Sequence, residues 1–96
     1  MATPARSTFR SCHAAFRACA DPQGREEYAA DLMRLAERTL SPEHYRIFRF
    51  RFLLGADWQL CTRRLGMSRA RFLRAVCRVE EQLGHALAVI EPRVAG

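Results

Sequence analysis

The stretch WQLCTRRLGMSRARFLRAVCRVEEQLGHAL, residues 58–87, decides how this chain is read. Apolar positions recur at helical spacing on both sides of Gly66-Met67-Ser68, which predicts two helices, Trp58–Leu65 and Arg69–Leu87, joined by a three-residue turn. Asp57 and Ser68 are ready N-caps, because a short side-chain oxygen can accept from the N–H groups that lack a partner in a first helical turn. Gly66 can take the left-handed conformation that stops the first helix. The inward residues are expected to be Trp58, Cys61, Thr62 and Leu65 on one helix. On the other they are Phe72, Val76, Val79 and Leu83, with Phe72 and Ala75 or Val76 anchoring the helix from below. Thr62 is small enough for the helices to approach, and Met67 fills the gap between them. At 100° per residue the opposite face of the second helix carries Ala70, Arg71, Arg74 and Arg78, with Arg69 on its flank and Leu73 leaning outward.

Upstream, Ser41-Pro42 starts a helix expected over Pro42–Leu53, since serine caps well and proline at the first helical position forfeits no intrahelical bond. That helix is apolar on two sides (Tyr45, Phe48 and Phe52; Ile47, Phe50 and Leu54), so it belongs at the centre of the core. Gly55 stops it. Before it, Tyr28, Leu32, Leu35, Ala36 and Thr39 share one face of a helix expected over Arg25–Thr39. The segment Asp21-Pro22-Gln23-Gly24 separates this helix from a first one over Thr8–Cys19. Glu91-Pro92 is expected to end the last helix. No segment alternates with period two, and the fold class predicted is all-α: a small bundle of about five helices containing a helix-turn-helix. Residues 1–40 read as a helical arm or support that could supply a dimer seam, 41–90 as the helix-turn-helix domain, and 91–96 as a frayed tail.

The chain has 96 residues and 16 basic residues, all arginine, against 10 acids, for a net charge of +6. The length allows one core, and no apolar run is long enough to span a membrane. Residues 1–43 are electrically neutral. Between His44 and Val79, nine arginines face the single acid Asp57, and the tail from Glu80 is slightly acidic. Positive charge concentrated this way suits a surface that must neutralise phosphates. The four cysteines show no metal-ligand spacing and no secretory signal precedes them, so reduced thiols, a cytoplasmic location, no metal and no cofactor are expected. The absence of a nucleophile–base pair, a carboxylate pair or a phosphate-binding glycine loop argues against an enzyme with catalytic residues. Arginine and alanine without lysine is the coding signature of a GC-rich bacterial or phage genome.

From Leu40 to Leu83, LSPEHYRIFRFRFLLGADWQLCTRRLGMSRARFLRAVCRVEEQL resembles region 4 of bacterial sigma-70-type RNA polymerase sigma factors. The likeness is carried by Leu65-Gly66-Met67-Ser68-Arg69 and the seam Phe72, Val76 and Val79. It implies a stand-alone DNA-binding helix-turn-helix, because the family's other regions have no room in this length. Cys61-Thr62 stands where the family commonly has a small apolar residue and alanine. Ala70 and Arg74 occupy base-reading positions, so no promoter sequence transfers.

The resulting expectation is a sequence-specific reader of double-stranded DNA in transcription regulation. The helix from Arg69 would enter the major groove, with Ser68, Arg69, Ala70, Arg71, Arg74 and Arg78 at the duplex and Arg71 and Arg74 at base edges. Arg63, Arg64, Arg49 and Arg51 would hold the phosphate backbone. The sequence leaves the oligomeric state open, with a homodimer seam available in the N-terminal helices or at the Leu83–Ile90 end, and association with the nucleoid follows from DNA binding. The alternative is a protein-interaction module that docks on RNA polymerase or another regulator through Leu73, Leu54 and the acidic Glu80-Glu81 end. Arg46 is expected to cap its helix or pair with Glu43, and Trp58, Cys61 and Cys77 to pack.

Overall fold

In a computed structural model the described residues are 4–95, with side chains over 4–88. Five α-helices follow one another: α1 (Pro4–Ala18), α2 (Pro22–Thr39), α3 (Pro42–Phe48), α4 (Trp58–Leu65) and α5 (Arg69–Ala95), with a π-helical turn, Arg49–Leu53, continuing α3. There is no strand among the described residues, and the fold is all-α.

Most helix starts follow from their caps. Asp21 accepts from the Gln23 and Gly24 amides, both at 3.2 Å, with Pro22 behind it. The Asp-Pro pair therefore starts α2 instead of merely breaking the chain, and the helix begins at Pro22 and not at Arg25. Ser41-Pro42 does the same for α3, the serine hydroxyl accepting from His44 N–H at 3.2 Å. The expected helix Pro42–Leu53 is α-helical only to Phe48, and the next turn widens, the Leu54 N–H reaching back to the Arg49 carbonyl at 3.0 Å. The wider turn sets back the residues that follow it relative to an α-helical register, and none of Arg49–Leu53 is fully buried. Phe48 stays in the core while Phe52 meets Phe9 edge-on, ring centroids 5.1 Å apart. α1 begins at Pro4, earlier than expected, and α5 runs on to Ala95 through Glu91-Pro92, where a stop was expected.

α5 is the spine. Phe72, Ala75, Val79 and Leu83 are buried along it, and Val76 is only half-buried. Against this stripe lie Phe9 of α1, Leu32, Leu35 and Ala36 of α2, Ile47 and Phe48 of α3, and Cys61 of α4, in one apolar cluster. The radius of gyration, 13.4 Å, is that of a single body of this length.

α1 is held on α5 by two unlike contacts. Gly84 faces the Ala5 carbonyl so closely that a Cβ there would overlap it. One turn away, Glu80 is only 4% exposed and takes Arg6 on Oε1, at 3.1 Å from Nη2, and Arg10 on Oε2, at 3.0 Å from Nε. This pairing raises the pKa of Arg10. A buried carboxylate without such partners would be strongly destabilising. The pairing also corrects one expectation, since Glu80 is enclosed by α1 and is not offered to a docking partner.

Beside this contact His13 lies between Phe9 and Phe16, stacked on both, with Phe52 edge-on at 5.4 Å. Its Nδ1 is buried without a hydrogen-bond partner. Burial first, then Arg17 and Arg51, hold its pKa below the ordinary 6.5.

Two outcomes are expected. Gly84→Ala should lower stability by about 1–3 kcal/mol in chemical denaturation despite alanine's better helix propensity, because the new methyl displaces backbone. For His13 the folded pKa lies below the unfolded one, so its contribution is complete above about pH 6.5 and is lost as pH falls through that value toward the folded pKa. His13→Phe should flatten the decline in thermal midpoint between about pH 7 and about pH 5 relative to the parent chain, and an unchanged slope would remove His13 as its source.

Candidate nucleic-acid interface

α4 ends where Gly66 turns left-handed, at φ 65° and ψ 37°, with its own N–H and that of Met67 both directed to the Thr62 carbonyl. Met67 is half-buried against the core, as a plug between the helices should be. Two residues on, the Ser68 hydroxyl accepts from Arg71 N–H at 3.2 Å and its carbonyl from Phe72 N–H at 2.9 Å, so α5 starts capped. Asp57 caps α4 by accepting from Leu60 N–H at 2.8 Å. Helix, left-handed glycine, plug, cap and second helix thus follow within a few residues, and the first turns of α5 bury Phe72 and Ala75 while Arg69, Ala70, Arg71 and Arg74 face outward.

The arginines at this end do not share one environment. Arg69, Arg71, Arg74 and Arg78 are all exposed on α5, as is Ala70. Arg69 lies with its guanidinium 4.8 Å over the Trp58 ring, a cation–π contact between the first residues of α5 and α4. Trp58 was expected inward, yet it is 38% exposed and forms a shelf for Arg69. Arg71 donates from Nη2 to Glu43 Oε1 at 3.0 Å, across from the first turn of α3. Glu43 therefore pairs with Arg71 and not with Arg46. Arg74 and Arg78 have no carboxylate partner among the described residues, and flank a shallow apolar surface made by Leu73 and Cys77.

The proposed backbone-holding residues are more scattered. Arg63 and Arg64 are exposed in the last turn of α4, where cations complement the helix dipole. Arg49 is exposed on the π-helical turn. Arg51 is half-buried with its guanidinium 5.9 Å from the Phe52 ring, and lines a cleft that also contains Trp58 and Leu73. No ion pair or ring contact among the described residues ties Arg49, Arg63 or Arg64 to α5. Ser68 is exposed, with its hydroxyl engaged by its own helix.

Spacing along the chain gives no sign of the Glu43–Arg71 and Trp58–Arg69 contacts. The first joins residues 28 positions apart on helices that meet only when the bundle closes. Of the cysteines, Cys61 is fully buried, and burial raises its thiol pKa, consistent with a packing role. No described helix is long and apolar enough to cross a membrane. Compared with protein-family models, with curated proteins and with solved structures, the chain matches none.

The turn can be tested alone. Gly66→Ala places a Cβ in a left-handed conformation and should cost about 1–2 kcal/mol in denaturant unfolding, while Gly66→Asn should cost less because asparagine tolerates that region. Equal, negligible losses for both would mean that the turn does not depend on the left-handed residue.

Proposed function

We propose that the chain is a sequence-specific double-stranded DNA-binding regulator of transcription that inserts the first turns of α5 into the major groove. The observation that carries this reading is the α4–Gly66–α5 junction with a capped, exposed α5 N-terminus bearing four outward arginines. The major groove admits one α-helix, and arginine can fork onto the O6 and N7 of guanine. Three lines support it: this geometry, the segregation of charge to residues 44–79, and the resemblance of Leu40–Leu83 to sigma region 4. In this reading Arg74 is the chief reader of a base edge, with Arg71 beside it. Ser68, Arg69, Ala70 and Arg78 lie along the groove. Arg63, Arg64, Arg49 and Arg51 meet phosphates. Association with the nucleoid follows from such binding, and a homodimer would double the surface read.

A second reading is favoured by one specific observation: Leu54 is 71% exposed and Leu73 45%. Both would serve a domain that docks on RNA polymerase or another regulator. In that case DNA affinity would need the partner.

The test is selection from a random duplex library with the purified chain alone, followed by two variants on the enriched duplex. Arg74→Ala should cost about 1–3 kcal/mol and relax preference at one base pair, whereas Arg63→Ala should weaken all duplexes alike and reduce the salt slope by about one. A palindromic motif would support the dimer. Absence of any enriched motif would overturn sequence-specific reading by the chain on its own and favour the partner-dependent reading.

A further inference from the structure

Of the four arginines on the exposed face of α5, Arg71 alone is held by a carboxylate among the described residues, Glu43, at 3.0 Å. We propose that Glu43 is a built-in competitor for the DNA backbone or base edge: it occupies the Arg71 guanidinium in the free protein and must release it when a duplex binds. The proposal rests on the DNA-binding reading and assigns a regulating residue to that site.

Three features of the fold make Glu43 a fixed competitor and not a passing neighbour. It lies in the first turn of α3, where the helix dipole favours an acid and where the Ser41 cap sets the start of the helix. The same turn is anchored on α5, since His44 Nδ1 lies 3.4 Å from Gln82 Oε1 and the following Ile47 and Phe48 are fully buried. The pair itself is open to solvent, its side chains 60% and 53% exposed, so a polyanion can reach it. An exposed ion pair is weak, and phosphates or a guanine edge can outbid one carboxylate without unfolding anything.

The position also sets an acid against a surface whose charges are mostly arginines. Glu43 is the last residue of the electrically neutral N-terminal part, directly before the strongly basic segment. Binding would exchange Glu43–Arg71 for a contact to DNA and leave an unpaired carboxylate facing the phosphates. Both consequences weaken binding to any duplex. A duplex that offers Arg71 a forked partner recovers more of the loss than one that offers a single phosphate oxygen, so the acid acts most strongly against non-specific DNA.

The experiment measures affinity of the full chain for a fluorescently labelled mixed-sequence DNA duplex across a salt series. The proteins are the parent, Glu43→Gln, Arg71→Ala, the double variant, and Glu37→Gln as a charge-matched control on α2. Glu43→Gln should bind about two- to fivefold tighter than Glu37→Gln, the scale of an exposed ion pair. Its log–log salt slope should steepen by up to about one, because in the parent complex the carboxylate freed from Arg71 holds back a cation that phosphate neutralisation would otherwise release. The gain should shrink in the Arg71→Ala background to the part that the carboxylate's repulsion of phosphates accounts for. A gain undiminished without Arg71 would overturn the proposal, because the acid would then act only through its field. Equal or weaker binding by Glu43→Gln would overturn it too, making Glu43 a positioner of Arg71. Parent protein that binds no duplex at any salt would overturn the DNA-binding reading and this inference with it; binding by the parent without the Glu43→Gln gain overturns the inference alone.

Discussion

Everything in this bundle depends on α5 facing two ways at once. Phe72, Ala75, Val79 and Leu83 are spaced so that they fall on one side of the helix and are buried there, and the other four helices all reach the core that grows from that stripe. With 3.6 residues per turn, burying that stripe commits Arg71, Arg74 and Arg78 to the opposite side. The packing that stabilises the fold is therefore also what aims the arginines, and no separate device is needed to point them outward. The hydrophobic contribution is non-directional, but the helix turns it into orientation.

The back of α5 shows the cost of this arrangement. Glu80 lies on the side covered by α1, and its burial is tolerable because each oxygen has an arginine of its own. A buried ion pair adds little to stability over a well-packed apolar substitute, and its stronger effect here is on placement. Arg6 and Arg10, one helical turn apart, fit Glu80 in one register of α1, and the close approach at Gly84 permits that register and few others. The arginines of α1 thus take up the buried acid of α5 and the helix covers its rear. The excess positive charge is left on the front.

What could be read from residues alone was what operates within a turn or two of helix. Ser41, Asp57 and Ser68 as caps, Gly66 as the left-handed stop and the bounds of α4 all depend on hydrogen bonds between near neighbours, and the structure has them. The start of α2 is as legible as that of α3, since Asp21-Pro22 repeats the logic of Ser41-Pro42, although a proline after one helix equally marks a break before the next. The π-helical turn is different: no cap or turn residue within the stretch marks it, and the rings that meet its Phe52, Phe9 and His13, come from α1. The partners of Glu80, Arg71 and Arg69 come from other helices, and a periodic pattern reports which face a residue is on but not what meets it. The arginine face could be anticipated, whereas its internal differences required the fold.

Those differences bear on how a basic surface stays usable. Between His44 and Val79 the chain carries nine arginines and one acid, and like charges so close together repel one another in the free protein. Glu43 on Arg71 and the Trp58 ring under Arg69 relieve part of that repulsion while leaving Arg74 and Arg78 available. A cation held by a weak surface partner can be transferred to a better one at small cost, whereas a buried pair such as Glu80 with Arg6 and Arg10 cannot. The two kinds of pairing divide along the helix, with the permanent one behind α5 and the exchangeable ones at its exposed start. Under the DNA-binding reading, that gradient favours discrimination over raw affinity, because a surface partly satisfied on its own gives less to any polyanion and distinguishes more sharply those that offer arginine a forked partner.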